Sequence, residues 1–166
     1  ELVMGVFDLY EGKASEKGIV LQYKANFEND ICISADSVRI KQVLNNLVNN
    51  AIKFTDNNGS ILLDTKIRKL TGNRIHLRFR VVDNGKGIDP ANKELLFKPF
   101  SQEDNSITRR YGGSGLGLSI VKTIVGNYYG GISVKSKLGK GTIFTVDLTL
   151  DIGNADNCKR PASDKK

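Results

Sequence analysis

The sequence predicts a two-layer α/β sandwich, in which helices cover one face of a mixed, mostly antiparallel sheet. Three observations support this fold class. The chain has 166 residues, which suits one domain with a sizeable core. Its helical segments each carry a single apolar stripe. Consecutive strand-like segments are joined by short turns, at Thr71–Asn73 and again near Gly139. Short turns join antiparallel strands, and they argue against a doubly wound parallel sheet.

Apolar residues at helical spacing predict helices, and alternation of apolar and polar residues predicts strands. The second helix is expected to begin at a cap supplied by Ser34 or Asp36. Helices are expected over residues 2–17, 36–54 and 115–128, with a short helix near 91–96. Strands are expected over residues 19–26, 60–68, 74–83, 131–137 and 141–149.

The chain is expected to form one domain over residues 1–150, followed by a polar linker or disordered tail over 151–166. Residues 91–114 are polar and rich in glycine and serine near their end. They predict a long loop, and a loop of that length in a small domain is usually functional.

Composition excludes several classes of protein. No apolar run is long enough to cross a membrane, and residues 1–8 do not resemble a signal peptide. His76 is the only histidine, so no Cys/His zinc cluster is expected. Cys32 and Cys158 are too few for a disulfide framework, and they suggest a reduced, cytosolic setting.

The net charge of +7 is compatible with nucleic acid, a membrane surface or a small polyanion. Basic residues such as Arg74, Arg78 and Arg80 alternate along a strand without interleaved aromatic side chains. That pattern is unlike a single-strand nucleic-acid binder. Solvated strand faces together with a basic tail explain it better, so charge does not decide the function.

Four asparagines lie within six residues of the second predicted helix: Asn45, Asn46, Asn49 and Asn50. Asparagine is a poor helix former, so this density is unusual. Asn46, Asn50 and Lys53 fall within about 60° of one another at the edge of the apolar stripe. Amide oxygens suit Mg²⁺ and a lysine suits phosphate. An ordinary amphipathic helix with surface asparagines is an equally good interpretation of this segment alone.

Asp83 ends a predicted strand and is followed by Gly85 and Gly87. Glycines there let a ligand approach the backbone closely, while the carboxylate could accept a hydrogen bond from the amino group of a purine. A simple tight turn remains the alternative. Four of the six residues 112–117 are glycines, and this segment opens the next helix, where backbone N–H groups form a ready anion site. A flexible hinge is the alternative for that segment.

Together these motifs resemble the ATP-binding catalytic domain of sensor histidine kinases, within the superfamily that includes type II topoisomerase, mismatch-repair and heat-shock chaperone ATPases. The resemblance covers about residues 1–150, and the family's five motifs occur in order. They match residues 46–55, 83–88, 97–100, 113–117 and 139–142. Residues 100–104 and 108–113 are most similar to hybrid kinases, which carry a receiver domain after this one.

The resemblance implies a role for each matching residue. Asp83 would bind the adenine amino group, with Gly87 and Thr142 supporting the base. Asn50 would coordinate Mg²⁺, and Asn46 and Lys53 would complete the catalytic set by placing and contacting phosphates. Arg109 or Arg110 would also reach phosphate oxygens, within a lid over residues 101–117. The remaining nucleotide contacts would be Phe54, Gly85, Ile88, Phe100, Gly113, Ser114, Gly115, Leu116 and Gly117.

The resemblance further implies binding of Mg·ATP and transfer of the γ-phosphoryl group to a histidine on a separate dimerisation domain. His76 lies in a strand without the family's acceptor motif, so the acceptor is not in this chain. Hydrolysing relatives carry a glutamate where this chain has Asn46, and an amide cannot act as a general base. A degenerate docking module and an ATP-hydrolysing relative are the alternatives.

The implied partners are that acceptor domain and a receiver domain. No nucleic acid and no direct membrane contact are expected, and the domain alone should be monomeric. A cytoplasmic location is expected, whether or not the parent protein has a membrane anchor.

Overall fold

The structure, a computed structural model, describes residues 2–26, 31–98 and 116–154. Its helices are α1 (Leu2–Glu16), α2 (Ser37–Phe54), a 3₁₀ helix (Pro90–Leu95) and α3 (Gly117–Asn127). Its strands are β1 (Val20–Asn26), β2 (Ile33–Ser34), β3 (Ser60–Lys69), β4 (Arg74–Asp83), β5 (Gly131–Lys137) and β6 (Gly141–Ile152).

The strands form one six-stranded sheet in the order β1-β3-β4-β6-β2, with β5 also paired to β6. Only the β1–β3 pair is parallel among the described strands, and the other pairs are antiparallel. The prediction of a mixed, mostly antiparallel sheet is therefore confirmed. The register of β4 against β6 places Asp83 opposite Thr142.

The hydrophobic core lies between the helices and one face of the sheet. Alternate residues of β4 and β6 are buried, as a sheet covered on one side requires. Phe79 in β4 and Leu44 and Leu47 in α2 are among the largest fully buried side chains. The opposite face carries charged side chains, including His76 and Arg78, which both bond to Asp147. His76 is thus a strand-face histidine, as expected.

The start of α2 is capped by Asp36, one of the two expected candidates. Its Oδ1 accepts hydrogen bonds from the backbone N–H groups of Val38 and Arg39, at 2.9 and 3.2 Å. Ser34, the other candidate, instead lies in the short strand β2. This cap fixes where α2 begins, and so fixes which of its side chains border the core.

Three local features differ from the sequence expectations. The strand β2 was not predicted, because two residues are too short to show a periodicity. The last strand extends beyond 149 to Ile152, where it pairs with Ile33 of β2. Cys32 is disulfide-bonded, so the expectation of reduced cysteines is wrong for this residue. Within the described ranges, none of the helices combines the length and apolarity needed to cross a membrane.

Candidate functional site

The carboxylate of Asp83 lies at the end of β4, on the face of the sheet that the helices cover. Its side chain is 7% exposed. One oxygen, Oδ1, accepts hydrogen bonds from the backbone N–H groups of Gly85 and Thr142, at 2.9 and 3.2 Å. Among the described residues, nothing donates to the second oxygen, Oδ2. That oxygen is therefore available to accept a hydrogen bond from a ligand.

Burial raises the pKa of Asp83 above the ordinary value for an aspartate, because a low-dielectric surrounding disfavours the charged form. The two backbone hydrogen bonds, from Gly85 and then Thr142, act in the opposite direction but do not cancel this effect. A buried, ionisable acceptor with one oxygen that no described residue bonds is typical of a binding site.

The end of α2 packs directly on the turn that follows Asp83. The backbone N–H of Lys86 donates to the carbonyl oxygen of Phe54 at 3.1 Å. A side chain at Gly85 would collide with that same carbonyl group and would come within 3.0 Å of Asp83 Oδ1. Residue 85 must therefore be glycine if the helix end and the carboxylate are to keep these positions.

The last hairpin closes the other side of the turn. Gly87 has a φ of +70° and packs so closely on the backbone of Lys137 that a Cβ would overlap its carbonyl oxygen. Ser136 Oγ accepts from the N–H of Ile88 at 2.9 Å and lies 2.9 Å from Thr142 Oγ1. The turn and the hairpin, distant in sequence, thus form one rigid wall around Asp83.

The predicted polar face of α2 borders this region. Asn46, Asn50 and Lys53 are all partly buried, as expected for side chains at the edge of the core. Burial lowers the pKa of Lys53, and its Nζ lies 5.1 Å from the centre of the Phe54 ring. Phe54 is 38% exposed, which is high for an aromatic side chain in a small domain. These residues present two amides and a cation along one face of the helix.

The start of α3 lies beside Asn46. A Cβ on Gly117 would come within 3.1 Å of Asn46 Oδ1, so the glycine allows the helix start to approach this amide closely. Leu116 is the cap residue of α3 and makes no side-chain capping bond. The first N–H groups of a helix are natural donors to an anion. The region between α2 and α3 therefore suits a negatively charged group.

Six of the predicted contact residues lie outside the described residues. They are Phe100, Arg109, Arg110, Gly113, Ser114 and Gly115. The described part of the site thus contains Asp83 with the turn that follows it and the polar face of α2. Of the predicted lid it contains only the last two residues, Leu116 and Gly117.

Sequence reasoning missed the contribution of Ser136. It occupies an inward position in β5, after Ile132 and Val134, and its hydroxyl joins the turn to the hairpin. A polar residue at an inward strand position was the available signal. Nor did sequence reasoning indicate the environment of Asn45, whose Oδ1 is buried and accepts no hydrogen bond within the described segments.

Two surface cavities lie near these helices. One, of about 340 Å³, lies between α2 and α3 and is lined partly by Asn45, Asn46 and Ile120. A larger cavity, of about 670 Å³, lies near the start of α2 and shares no residue with the predicted contacts. The smaller cavity, and not the larger one, therefore adjoins the polar face of α2.

The fold and this arrangement define a class of protein: a two-layer ATPase-like domain with an acceptor carboxylate, two glycine turns and an asparagine-bearing helix. The family of histidine kinase-, DNA gyrase B- and HSP90-like ATPases matches residues 35–152. Because this match covers more than half of the chain, the chain belongs to that family.

Curated relatives with more than 30% identity include sensor kinases. The autoinducer 2 sensor kinase/phosphatase LuxQ of Vibrio vulnificus is 38% identical over 159 residues, which cover 95% of this chain and 18% of that protein. The signal transduction histidine-protein kinase BarA of Escherichia coli K12 is 36% identical over 149 residues, covering 89% of the chain and 16% of BarA. The chain therefore spans less than a fifth of the length of these relatives.

Solved structures agree with this assignment. The nucleotide-free catalytic domain of the histidine kinase ThkA is 33% identical with a TM-score of 0.73, and the match covers 89% of this chain and 90% of that one. Full-length ShkA, in complex with AMPPNP, is 32% identical with a TM-score of 0.74, covering 92% of this chain and 30% of ShkA. The resemblance to a histidine kinase catalytic domain is thus confirmed.

Proposed function

We propose that this chain is the ATP-binding part of a histidine kinase, which binds Mg·ATP and donates the γ-phosphoryl group to a histidine on another domain. The observation that carries the proposal is the buried carboxylate of Asp83. One of its oxygens is held by two backbone N–H groups and the other is left for a ligand.

The adenine ring would lie against the turn after β4. Asp83 Oδ2 would accept a hydrogen bond from the amino group of the base, which requires the ionised carboxylate. Gly85 and Gly87 leave no side chain in this space, and Thr142 is held beside it by its N–H bond to Asp83. Ile88, which packs on the core, would supply an apolar contact for the base. Phe54 would pack near the nucleotide as its exposed ring allows.

The phosphates would extend along α2 toward the start of α3. Asn50 would hold Mg²⁺, with Asn46 and Lys53 placing the phosphate oxygens, and Leu116 and Gly117 presenting the first N–H groups of α3. Arg109, Arg110 and the lid residues Phe100, Gly113, Ser114 and Gly115 would complete the contacts.

The donor set fits a magnesium ion held mainly by phosphate. The described residues contain no cluster of three or more His, Cys, Asp or Glu side chains that could enclose a metal ion. Mg²⁺ commonly takes one or two protein oxygens, with water and substrate phosphates as its other ligands. Asn50 at the polar edge of α2 meets that requirement. When bound, the ion would neutralise charge on the phosphates, while the chain's own residues orient the nucleotide.

Transfer rather than hydrolysis is favoured by the residues of α2. Asn46 occupies the position where hydrolysing relatives carry a glutamate, and its amide cannot remove a proton from water. His76 bonds to Asp147 at 2.8 Å on the opposite face of the sheet, so it is badly placed to receive a phosphoryl group. The acceptor would be a histidine on a separate dimerisation domain of the parent protein.

The remaining parts of the proposal concern context. The catalytic unit would comprise residues 1–150 together with the last residues of β6, followed by a linker. A receiver domain would be the downstream partner, nucleic acid and membrane would not be bound directly, and the unit would be cytoplasmic and monomeric on its own. ThkA has been solved in complex with the response regulator protein TrrA, which supports a partner of this kind.

Calorimetric titration with a non-hydrolysable ATP analogue, with and without Mg²⁺, tests binding. We expect saturable binding that Mg²⁺ strengthens. A separate acceptor domain, supplied with labelled ATP, then tests transfer to its histidine. A folded protein that binds no nucleotide would refute the proposal, and binding without transfer would favour the docking-module alternative. Phosphate release without an acceptor, lost in Asn46→Ala, would favour hydrolysis.

A further inference from the structure

The lysine that directly follows α1 bonds to the C-terminal end of α2. Lys17 Nζ donates hydrogen bonds to the carbonyl oxygens of Ile52 and Thr55, each at 2.7 Å. Its own backbone carbonyl accepts from the N–H of Asn58 at 3.0 Å. One residue therefore holds the end of α2 and the following turn through both its side chain and its backbone.

These bonds satisfy groups that a helix end leaves unpaired. The last carbonyl groups of a helix have no partner within it, and a cation there is also favoured by the helix dipole. Ile52 and Thr55 are each 1% exposed, so water cannot readily replace the lysine. Losing Nζ would leave both carbonyl oxygens without this charged donor in a buried position, and the last turn would have to shift to find new partners.

The same helix turn carries the contacts that shape the site. Between Ile52 and Thr55 lies Phe54, whose carbonyl oxygen accepts from Lys86 N–H at 3.1 Å. That carbonyl group also packs against Gly85, two residues after Asp83. Beyond the turn, Ser60 donates its N–H to Asn84 Oδ1 at 2.8 Å. The end of α2 and the residues after it thus contact the three residues that follow Asp83, so a shift of the helix end would disturb this turn.

We propose that Lys17 is a positioning residue for the nucleotide site: from its place directly after α1 it fixes the end of α2, and thereby the turn that follows Asp83. This inference rests on the proposed function for its consequence on binding. Its structural part, the link from Lys17 to the turn at Lys86, stands independently of any ligand.

The test compares Lys17→Met, which keeps the apolar stem, with Lys17→Arg, which keeps a cation. Lys13→Met is the matched control, because Lys13 lies on α1 shortly before Lys17 and also bonds to α2, but to the side chain of Asn49 at 2.8 Å. Titration with the ATP analogue is performed well below the melting temperature. We expect Lys17→Met to weaken binding roughly 3- to 30-fold, the range typical of residues that act through a network. Lys17→Arg should recover part of the loss.

A second readout needs no nucleotide. Amide hydrogen exchange at Lys86 should become faster in Lys17→Met, while exchange at Leu77 in the middle of β4 should change less. General destabilisation would accelerate both alike. If Lys17→Met does not fold, Lys17→Gln, which keeps a shorter neutral donor, is measured by the same two methods.

Affinity within twofold of the Lys13→Met control, or equal changes in exchange at Lys86 and Leu77, would overturn the inference. Absence of nucleotide binding in the wild-type chain would instead refute the proposed function, and the exchange measurement would still decide the role of Lys17.

Discussion

Replacing Asp83 by asparagine tests the site with almost no change in shape. Two backbone N–H groups, from Gly85 and Thr142, point at Oδ1. In Asp83→Asn only the amide oxygen can occupy that position, because an NH₂ group there would face two donors. The new NH₂ group must therefore replace Oδ2, where the adenine amino group is expected. A donor would then face a donor.

The expected loss follows from that exchange. A hydrogen bond to a charged group contributes about 1.5–3 kcal/mol, so its loss should raise the dissociation constant roughly 10- to 150-fold. The effect on folding should have the opposite sign. Because burial raises the pKa of Asp83, the folded chain disfavours its charge, and a neutral amide removes that penalty. Asp83→Asn should therefore be at least as stable as wild type at neutral pH.

Calorimetric titration with the ATP analogue and thermal unfolding measure the two effects on the same samples. Asp147→Asn is the control, because Asp147 is a strand aspartate on the opposite face of the sheet, bonded to His76 and Arg78. It should bind the analogue like wild type. Near-wild-type affinity in Asp83→Asn, or weaker binding that only accompanies a large fall in melting temperature, would refute this account of the site.

Three further predictions follow from the same geometry. Since the pKa of Asp83 is raised, its contribution to folding should be present at low pH and be lost as pH rises through that pKa. Affinity for the ATP analogue needs the ionised carboxylate, so it should fall as pH is lowered, beginning at a higher pH than an aspartate with an ordinary pKa would cause. Asp83→Asn should abolish this pH dependence in a series of titrations. Gly141→Ala should lower the free energy of unfolding in urea by about 2–4 kcal/mol, because the φ of Gly141 is +113° and a Cβ would meet the carbonyl group of Asp83. Gly139→Ala is the control, and it should cost only about 1–2 kcal/mol because Gly139 has a φ of +73° but open space around it. Equal costs would contradict the proposed clash. Ser136→Ala should lower unfolding free energy by about 1–3 kcal/mol, because the N–H of Ile88 loses its acceptor, and an unchanged urea midpoint would show that this bond is unimportant.

Local patterns in the sequence were sufficient for most of the fold. The apolar stripe and Asp36 located α2, because helix periodicity and capping are properties of a few neighbouring residues. The parallel pairing of β1 with β3 and the pairing of β2 with β6 depend on contacts between distant segments. For that reason a mixed sheet could be predicted, but its strand order could not.

In the site, too, local patterns could be predicted and contacts between distant segments could not. Asp83 and its glycines were visible because a strand ending in an acid and followed by Gly-x-Gly is a local signal. The family resemblance placed Thr142 near the base, but its N–H bond to Asp83, which joins residues 59 positions apart, was not predicted. The inward position of Ser136 in β5 indicated a polar contact but not its partner, and nothing in the sequence indicated the role of Lys17, since each residue acts on a segment that is neighbouring only after folding.

The bond between Asp83 and Thr142 also constrains the pairing of the two central strands. In the register of β4 against β6 these residues lie directly opposite each other. A slip of one residue would turn the inward side chains outward, and a slip of two would keep the faces but place Val81 opposite Thr142. Either error separates the carboxylate from one of its two donors. The hydrogen bonds of Asp83 thus depend on correct strand alignment. If Asp83 binds the base as proposed, a nucleotide would bind preferentially to molecules whose sheet has the correct register.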